Sequence, residues 1–238
     1  MIAVVITAAG TGQRFGQDKA MVMLKGKPLF AHSLTVFYKL SVKYPQLITK
    51  IIITCNEHNE KEIKTYLTSM IKTTAQVPKT QVILGDKTRF LSVQKAVEKA
   101  GESCDKIMIH DAARPAISLV LIERILQASD THQAVIPGIS VVDTIKQVNK
   151  EKLVLNTVNR DQLCAIQTPQ CFDSSLLKDC YKKAGSNREL SLLSDEAQLV
   201  EKAGIKVHVV QGERQNIKCT WPQDLAYLES MTDIFERT

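Results

Sequence analysis

Short β-branched runs alternate with helix-length amphipathic stretches through the first 140 residues, and that beat leaves the chain few possible folds. Ile2–Thr7 reads as a strand and Phe30–Tyr44 as an amphipathic helix; Lys50–Cys55 (KIIITC) is a second strand, followed by a helix from about Glu57 to Met70. Thr80–Leu84, Lys106–His110 and Ala134–Pro137 read as three more strands, with helices across Arg89–Ala100 and Leu119–Ser129 between them. Strands with continuous apolar runs must be covered on both faces, and helical crossovers of this length provide the cover. The expected fold is α/β: a doubly wound, mostly parallel sheet with helices on both faces.

The beat changes after Pro137. VVDTIKQV, KLVLNTV and LCAIQT follow as short β-like pieces, and Asn149-Lys150-Glu151-Lys152 forms a polar turn between the first two. A hairpin is not needed by a parallel core, so residues 139–166 read as a projecting β-arm. Its apolar residues call for a partner, and a symmetric homodimer is the commonest solution. Helical periodicity resumes at Ser174–Ala184 and Asp195–Ala203, a strand covers 206–210, and Pro222 marks the start of a last helix from about Gln223. The whole of 1–238 reads as one domain carrying this arm.

Composition removes several classes. The chain is 44% hydrophobic and 24% charged with only 7 Pro and 10 Gly, which excludes a disordered or collagenous chain. No apolar run approaches the ~18 residues of a membrane span, and MIAVVITAAG lacks a basic leader region, so it reads as a buried strand rather than a secretory signal. Six cysteines without a CxxC pair predict reduced thiols and a cytoplasmic location. The net charge of +6 is interleaved with acids and only 5% of residues are aromatic. That favours a phosphate-bearing small molecule over nucleic acid.

The first strand runs directly into ITAAGTGQRFGQDK, residues 6–19. Gly10, Gly12 and Gly16 permit a tight loop whose N–H groups converge on a phosphate. The spacing G-x-G-x-x-x-G misses the dinucleotide fingerprint by one residue, and the acidic ribose clamp expected about 20 residues on is missing, which disfavours an NAD-dependent oxidoreductase. Arg14 and Lys19 place two cations beside the loop, suiting a triphosphate. A plain turn with a solvated basic patch is the competing reading.

Further along, IMIHDAARP ends the fourth strand, so Asp111 and Arg114 fall where ligands bind in open α/β sheets. Asp111 suits a divalent ion carried by phosphates; alternatively Asp111 and Arg114 brace the loop as an ion pair. His110, the last strand residue, reads as a packing and hydrogen-bonding group. Gly85-Asp86-Lys87-Thr88-Arg89 enters a helix with Ser92 in its first turn, either recognising a base or phosphate or merely capping the helix. Lys218 is a third candidate phosphate ligand, and Thr220 a candidate cap for the last helix. No serine elbow or Cys–His pair supports covalent catalysis.

Several of these segments together resemble one family, the 2-C-methyl-D-erythritol 4-phosphate cytidylyltransferases of isoprenoid precursor synthesis. They are AAGTGQRFGQDK (8–19), GDKTRFLSV (85–93), HDAARP (110–115), DTIK (143–146), TVNRDQL (157–163), QTPQCF (167–172), SDEA (194–197) and NIKCTWPQDL (216–225). The resemblance implies CTP-dependent transfer on a Rossmann-like fold with Mg²⁺ as cofactor and CTP as co-substrate. It implies Arg14, Lys19 and Lys218 as catalytic cations, and a nucleotide site of Ala8, Ala9, Gly10, Thr11, Gly12, Gly85, Arg89, Ser92, Asp111 and Ala112, with Asp111 also at the metal. It implies a phosphorylated polyol held by Arg114, Asp143, Thr144, Arg160, Thr168 and Ser194, the arm residues reaching into a partner subunit. The sister group acting on D-ribitol 5-phosphate is the nearest alternative; Ala112-Ala113 favours methylerythritol phosphate. A non-catalytic nucleotide or nucleic-acid binder is the alternative of another class. Three departures stand out: Asp18-Lys19-Ala20-Met21 where the family usually has Pro-Lys-Gln and an aromatic, Leu84-Gly85 for Gly-Gly, and Ser194 for Thr.

Overall fold

A computed structural model describes residues 1–10, 12, 15–73, 77–102, 104–185, 193–231 and 235. The chain folds as β1 (Ile2–Thr7), β2 (Met23–Leu24), β3 (Lys27–Pro28), α1 (Leu29–Lys43), β4 (Ile48–Cys55), α2 (Glu60–Thr73), β5 (Lys79–Leu84), α3 (Arg89–Ala100), β6 (Lys106–Asp111), α4 (Leu119–Ser129) and β7 (Ala134–Ser140). Then come β8 (Ile145–Val148), β9 (Val154–Val158), β10 (Cys164–Ile166), β11 (Gln170–Asp173), α5 (Ser174–Ala184), α6 (Glu196–Lys202), β12 (His208–Gln211) and α7 (Pro222–Ser230). Single 3₁₀ turns lie at Lys19–Met21 and Arg160–Gln162.

The strand alternation produces the expected doubly wound sheet. β1 lies at the centre, parallel to β4 on one side and β6 on the other, and β5 extends the sheet beyond β4. Chain order therefore reverses direction at β1, with Thr7 paired to Asp111 at the carboxyl end of the β1–β6 pair. Alternate residues of β1 feed two separate cores. Ile2, Val4 and Ile6 pack on one face with Phe30, Leu34 and Phe37 of α1, Ile63 and Leu67 of α2, and Leu121, Ile122 and Ile125 of α4. Ala3 and Val5 pack on the other with Val93, Ala96 and Val97 of α3, Leu177 and Tyr181 of α5, and Leu199 and Val200 of α6. A strand buried on both faces has no polar side to show, which is why Ile2–Ile6 is uniformly apolar.

The chain's second half departs from the simple alternation. β11 inserts antiparallel between β6 and β7, pairing Gln170 with Ile109 and Cys171 with Val135. β12 runs parallel to β7 along the edge away from β11. The expected hairpin forms: β8 and β9 are an antiparallel two-stranded sheet of their own, turned by Asn149, whose side-chain oxygen accepts the Leu153 N–H at 2.8 Å. The third piece of the expected arm behaves differently. Ile139 and Ser140 remain in β7, and Cys164–Ile166 return to pair with it, so 139–140 and 164–166 belong to the main sheet. Val148, Leu153, Val154 and Leu155 of the hairpin are exposed.

Helix starts follow local chemistry. Thr88, Ser118 and Asp195 cap α3, α4 and α6 through their side-chain oxygens. Thr220 does not cap α7. Instead the Asp224 carboxylate, one turn inside the helix, accepts the N–H groups of both Thr220 and Trp221, at 2.7 and 2.8 Å. A third small core of Phe15, Val22, Leu24, Leu29, Ala116, Cys219 and Leu228 fastens the glycine loop to α7.

Candidate active site

At the carboxyl ends of β1, β4, β5 and β6 the sheet opens into a cleft of ≈ 450 Å³. Its walls are Ala8–Gly10 and Lys19 from the glycine loop, Asp86–Arg89 and Ser92 from the β5–α3 loop, Asp111–Ala113 after β6, and Lys218 before α7. This is the crevice where strand order reverses, the place open α/β sheets bind ligands.

Asp111 organises the floor. Its Oδ2 accepts Lys218 Nζ at 2.6 Å, and its Oδ1 accepts Thr7 Oγ1–H at 3.1 Å and faces Arg89 Nη2 at 3.5 Å. Burial works against its charge, but Lys218, Arg89 and Arg114 outweigh that and hold the carboxyl well below the usual carboxylate range. The Asp111 N–H donates to Thr168 Oγ1 at 3.0 Å, which fixes the backbone from which the carboxylate projects.

Arg89 is committed on its other side. Nη1 donates to both oxygens of Glu196 at 2.8 and 2.9 Å, and Tyr181 donates its hydroxyl to Glu196 Oε1 at 3.2 Å. Glu196 is 1% exposed. Although burial opposes the charge of Arg89, Glu196 and Asp111 keep the guanidinium ionised. The sequence marks Glu196 only as part of a helix start; nothing local signals that its carboxylate reaches Arg89, 107 residues away.

The β5–α3 loop is held by Ser92 and Gly85. Ser92 Oγ accepts Asp86 N–H and donates to the Thr88 carbonyl, both at 2.8 Å, while Thr88 caps the helix. Ser92 thus shapes the loop rather than capping. A Cβ on Gly85 would lie 2.6 Å from Ala9 Cβ and 2.7 Å from Ser92 Oγ, so only glycine lets the two loops close on each other. In the glycine loop, Gly12 has φ +66° and a Cβ there would collide with the Gln17 carbonyl oxygen.

The remaining expected residues are dispersed. Arg114 lies beneath the cleft, donating to the carbonyls of Asn216 at 2.8 Å and Ile166 at 3.3 Å, and so ties the Lys218 loop to β10. Thr168 is buried below Asp111, its hydroxyl bonded to His110 Nδ1 at 3.1 Å. His110 is a packing residue as expected, with Nε2 facing Ser33 Oγ and the Arg114 carbonyl. Asp143, Thr144 and Arg160 lie on the arm and do not line the cleft, with Arg160 donating to the Val142 carbonyl. Ser194 is exposed ahead of α6, accepting Gln198 Nε2–H at 2.8 Å. Thr11 and Arg14 lie outside the described residues.

A doubly wound sheet with a cleft at its reversal point lined by Lys19, Arg89 and Lys218 defines a Rossmann-like protein that binds nucleotide or phosphate. A profile of the family described as IspD, 2-C-methyl-D-erythritol 4-phosphate cytidylyltransferase, matches residues 2–233. The chain belongs to that family. It is 37% identical over 226 residues to the 2-C-methyl-D-erythritol 4-phosphate cytidylyltransferase of Alkaliphilus metalliredigens, covering 94% of this chain and 90% of that one. With the enzyme of the same name from Dictyoglomus thermophilum it shares 35% identity over 229 residues, covering 95% of this chain and 94% of that one. The crystal structure of 4-diphosphocytidyl-2C-methyl-D-erythritol synthase from Anaerococcus prevotii superposes with a TM-score of 0.80 at 28% identity, covering 98% of both chains. Family membership disfavours the oxidoreductase and nucleic-acid alternatives. Among the described residues no helix is long and apolar enough to cross a membrane.

Proposed function

We propose that this chain transfers the cytidylyl group of CTP to 2-C-methyl-D-erythritol 4-phosphate, forming 4-diphosphocytidyl-2-C-methyl-D-erythritol and releasing pyrophosphate. The observation that carries the reading is the convergence of Lys19 and Lys218 with Asp111 in one cleft between two loops rich in backbone N–H groups. A phosphate oxygen of the acceptor attacks the α-phosphorus in line, the bond to the β-phosphate bridge oxygen breaks, and pyrophosphate leaves with the charge. A phosphate monoester needs no general base, which accords with a cleft whose nearest histidine, His110, is buried below the floor. The chain's contribution is positioning and neutralisation. Lys19, Lys218 and, from the resemblance, Arg14 face the phosphates. Ala8, Ala9, Gly10, Thr11, Gly12, Gly85, Ser92 and Ala112 surround the nucleotide, and Arg89 fixes Asp111.

Asp111, at the floor of the cleft, is the residue that would hold Mg²⁺. Among the described residues no three His, Cys, Asp or Glu side chains are grouped to hold a metal by themselves. Asp111 offers a carboxylate, and Mg²⁺ commonly shares its shell between one or two carboxylates, substrate phosphates and water. When bound it would supply further charge neutralisation on the triphosphate. From the resemblance, the acceptor's polyol and phosphate would meet Arg114, Asp143, Thr144, Arg160, Thr168 and Ser194, with Arg160 and Thr168 acting across a homodimer. Within one chain Arg114 and Thr168 are engaged with Asn216, Ile166 and His110 and shape the loops under the cleft. The exposed apolar residues of the β8–β9 hairpin support such a dimer. Six unpaired thiols support a reducing, cytoplasmic setting.

The test is a side-by-side assay with CTP and Mg²⁺. The kcat/KM for 2-C-methyl-D-erythritol 4-phosphate is expected to exceed that for D-ribitol 5-phosphate by at least ~10-fold, the low end of what one fitted pocket contact gives. Equal or better turnover of ribitol phosphate would move the chain into the sister group.

A further inference from the structure

Asp18 stands between Gln17, whose carbonyl oxygen lies against Gly12, and Lys19, which lines the cleft. Asp18 is half-buried, and both of its carboxylate oxygens face N–H donors. Oδ1 accepts the Ala20 N–H at 3.0 Å. Oδ2 accepts the side-chain amides of Asn56 and Asn59, each at 2.8 Å.

The two asparagines are themselves anchored in the turn between β4 and α2. Asn59 is 1% exposed; its amide also donates to the Ala8 carbonyl at 3.0 Å, and its oxygen accepts Asn56 N–H at 2.9 Å. Asn56 Oδ1 accepts the N–H groups of His58 and Asn59 at 2.9 and 3.0 Å. The network therefore joins the end of β1, the end of β4 and the exit of the glycine loop. Lys19 lies between two clamped neighbours, and its carbonyl accepts Val22 N–H at 3.2 Å. A hydrogen-bonded network whose members are mutually satisfied holds one arrangement. An acceptor-only group is required at position 18, because an amide would turn its NH₂ toward at least one donor.

We propose that Asp18, held by Asn56 and Asn59, is a positioning residue for Lys19. It touches no reacting atom in this scheme; it delivers the ammonium to the phosphates. The proposal rests on the cytidylyl-transfer reading above and adds to it the device that aims this cation.

The experiment compares wild type, Asp18→Ala, Asp18→Asn, Lys19→Ala and the double variant Asp18→Ala/Lys19→Ala, each assayed with CTP, 2-C-methyl-D-erythritol 4-phosphate and Mg²⁺. Asp18→Ala is expected to lower kcat by about 10- to 100-fold, the scale of an ångström-sized misplacement, with KM for CTP changing far less. In the Lys19→Ala background the same substitution is expected to cost no more than about twofold, since a residue acting through Lys19 then has nothing to aim. Asp18→Asn keeps shape and lowers kcat in the same sense, so it serves if the alanine variant does not fold. Activity of both Asp18 variants within about twofold of wild type, or full multiplicative losses in the double variant, would overturn the positioning role. Absence of turnover by wild type would instead overturn the underlying functional reading.

Discussion

Lys218 and Asp111 stand 107 residues apart in the chain and meet at 2.6 Å across the floor of the cleft. The pair places a cation and an acceptor-only carboxylate side by side where the β1–β6 crevice opens. Replacing Lys218 by Ala removes a charge that faces the developing negative charge on the phosphates. The expected result is at least a ~100-fold fall in kcat/KM, comparable to losing one oxyanion donor. Steady-state kinetics with CTP and methylerythritol phosphate decide it; a variant within a few-fold of wild type would remove Lys218 from the machinery.

Glu196 answers to Arg89 in the same way, but inside the protein. Deleting the carboxylate leaves a guanidinium with no partner on its buried side. Glu196→Ala is expected to destabilise by about 3–5 kcal/mol, the range for breaking one side of a buried pair. Replacing Arg89 and Glu196 together by Met and Leu should recover most of that in urea titrations while activity stays low, because Asp111 loses Arg89. Equal stability of the single variant and wild type would show that the pair is not structural.

His110 gives the fold a pH dependence. Burial pushes its imidazole down to about 4; the Asp111 charge opposes the shift and Arg114 adds to it. The unfolded chain titrates near 6.5, so between those values the unfolded state binds the proton that the folded state refuses. Stability is therefore full above about pH 6.5 and falls as pH drops toward 4, by about 3 kcal/mol in total. His32, lowered chiefly by burial, adds in the same direction. Unfolding titrations at several pH values should show this slope, and His110→Asn should flatten it; an unchanged slope in that variant would assign it elsewhere.

The arm prediction concerns two chains at once. In the proposed dimer, Arg160 from one copy completes the site that contains Lys19 of the other. Each of Arg160→Ala and Lys19→Ala should be nearly inactive alone. Mixed heterodimers should regain part of the activity, since one of their two sites receives both native residues. Sedimentation as a monomer at micromolar concentration, or no recovery in verified heterodimers, would refute the shared site.

The sequence by itself determined the elements whose burial is local. β1, α3, α4 and α5 fall on the residues their periodicity predicts, because an apolar stripe or run specifies which face must leave water whatever the partner is. It also determined the glycine loop's place after β1 and the hairpin about Asn149. The altered segment at Asp18 was legible as a departure but not as a device. Asp18 has φ −65°, the value a proline ring imposes, and only the folded chain brings Asn56 and Asn59 to its carboxylate. Tertiary structure alone decided that Gln170–Asp173 forms an antiparallel strand between β6 and β7, and that Cys164–Ile166 rejoins the main sheet. It alone decided that Glu196 meets Arg89 and that Lys218 meets Asp111. A strand of three or four residues carries too few side chains to declare its neighbours. An ion pair between residues 107 apart is chosen by how the intervening elements pack, not by anything written beside either residue.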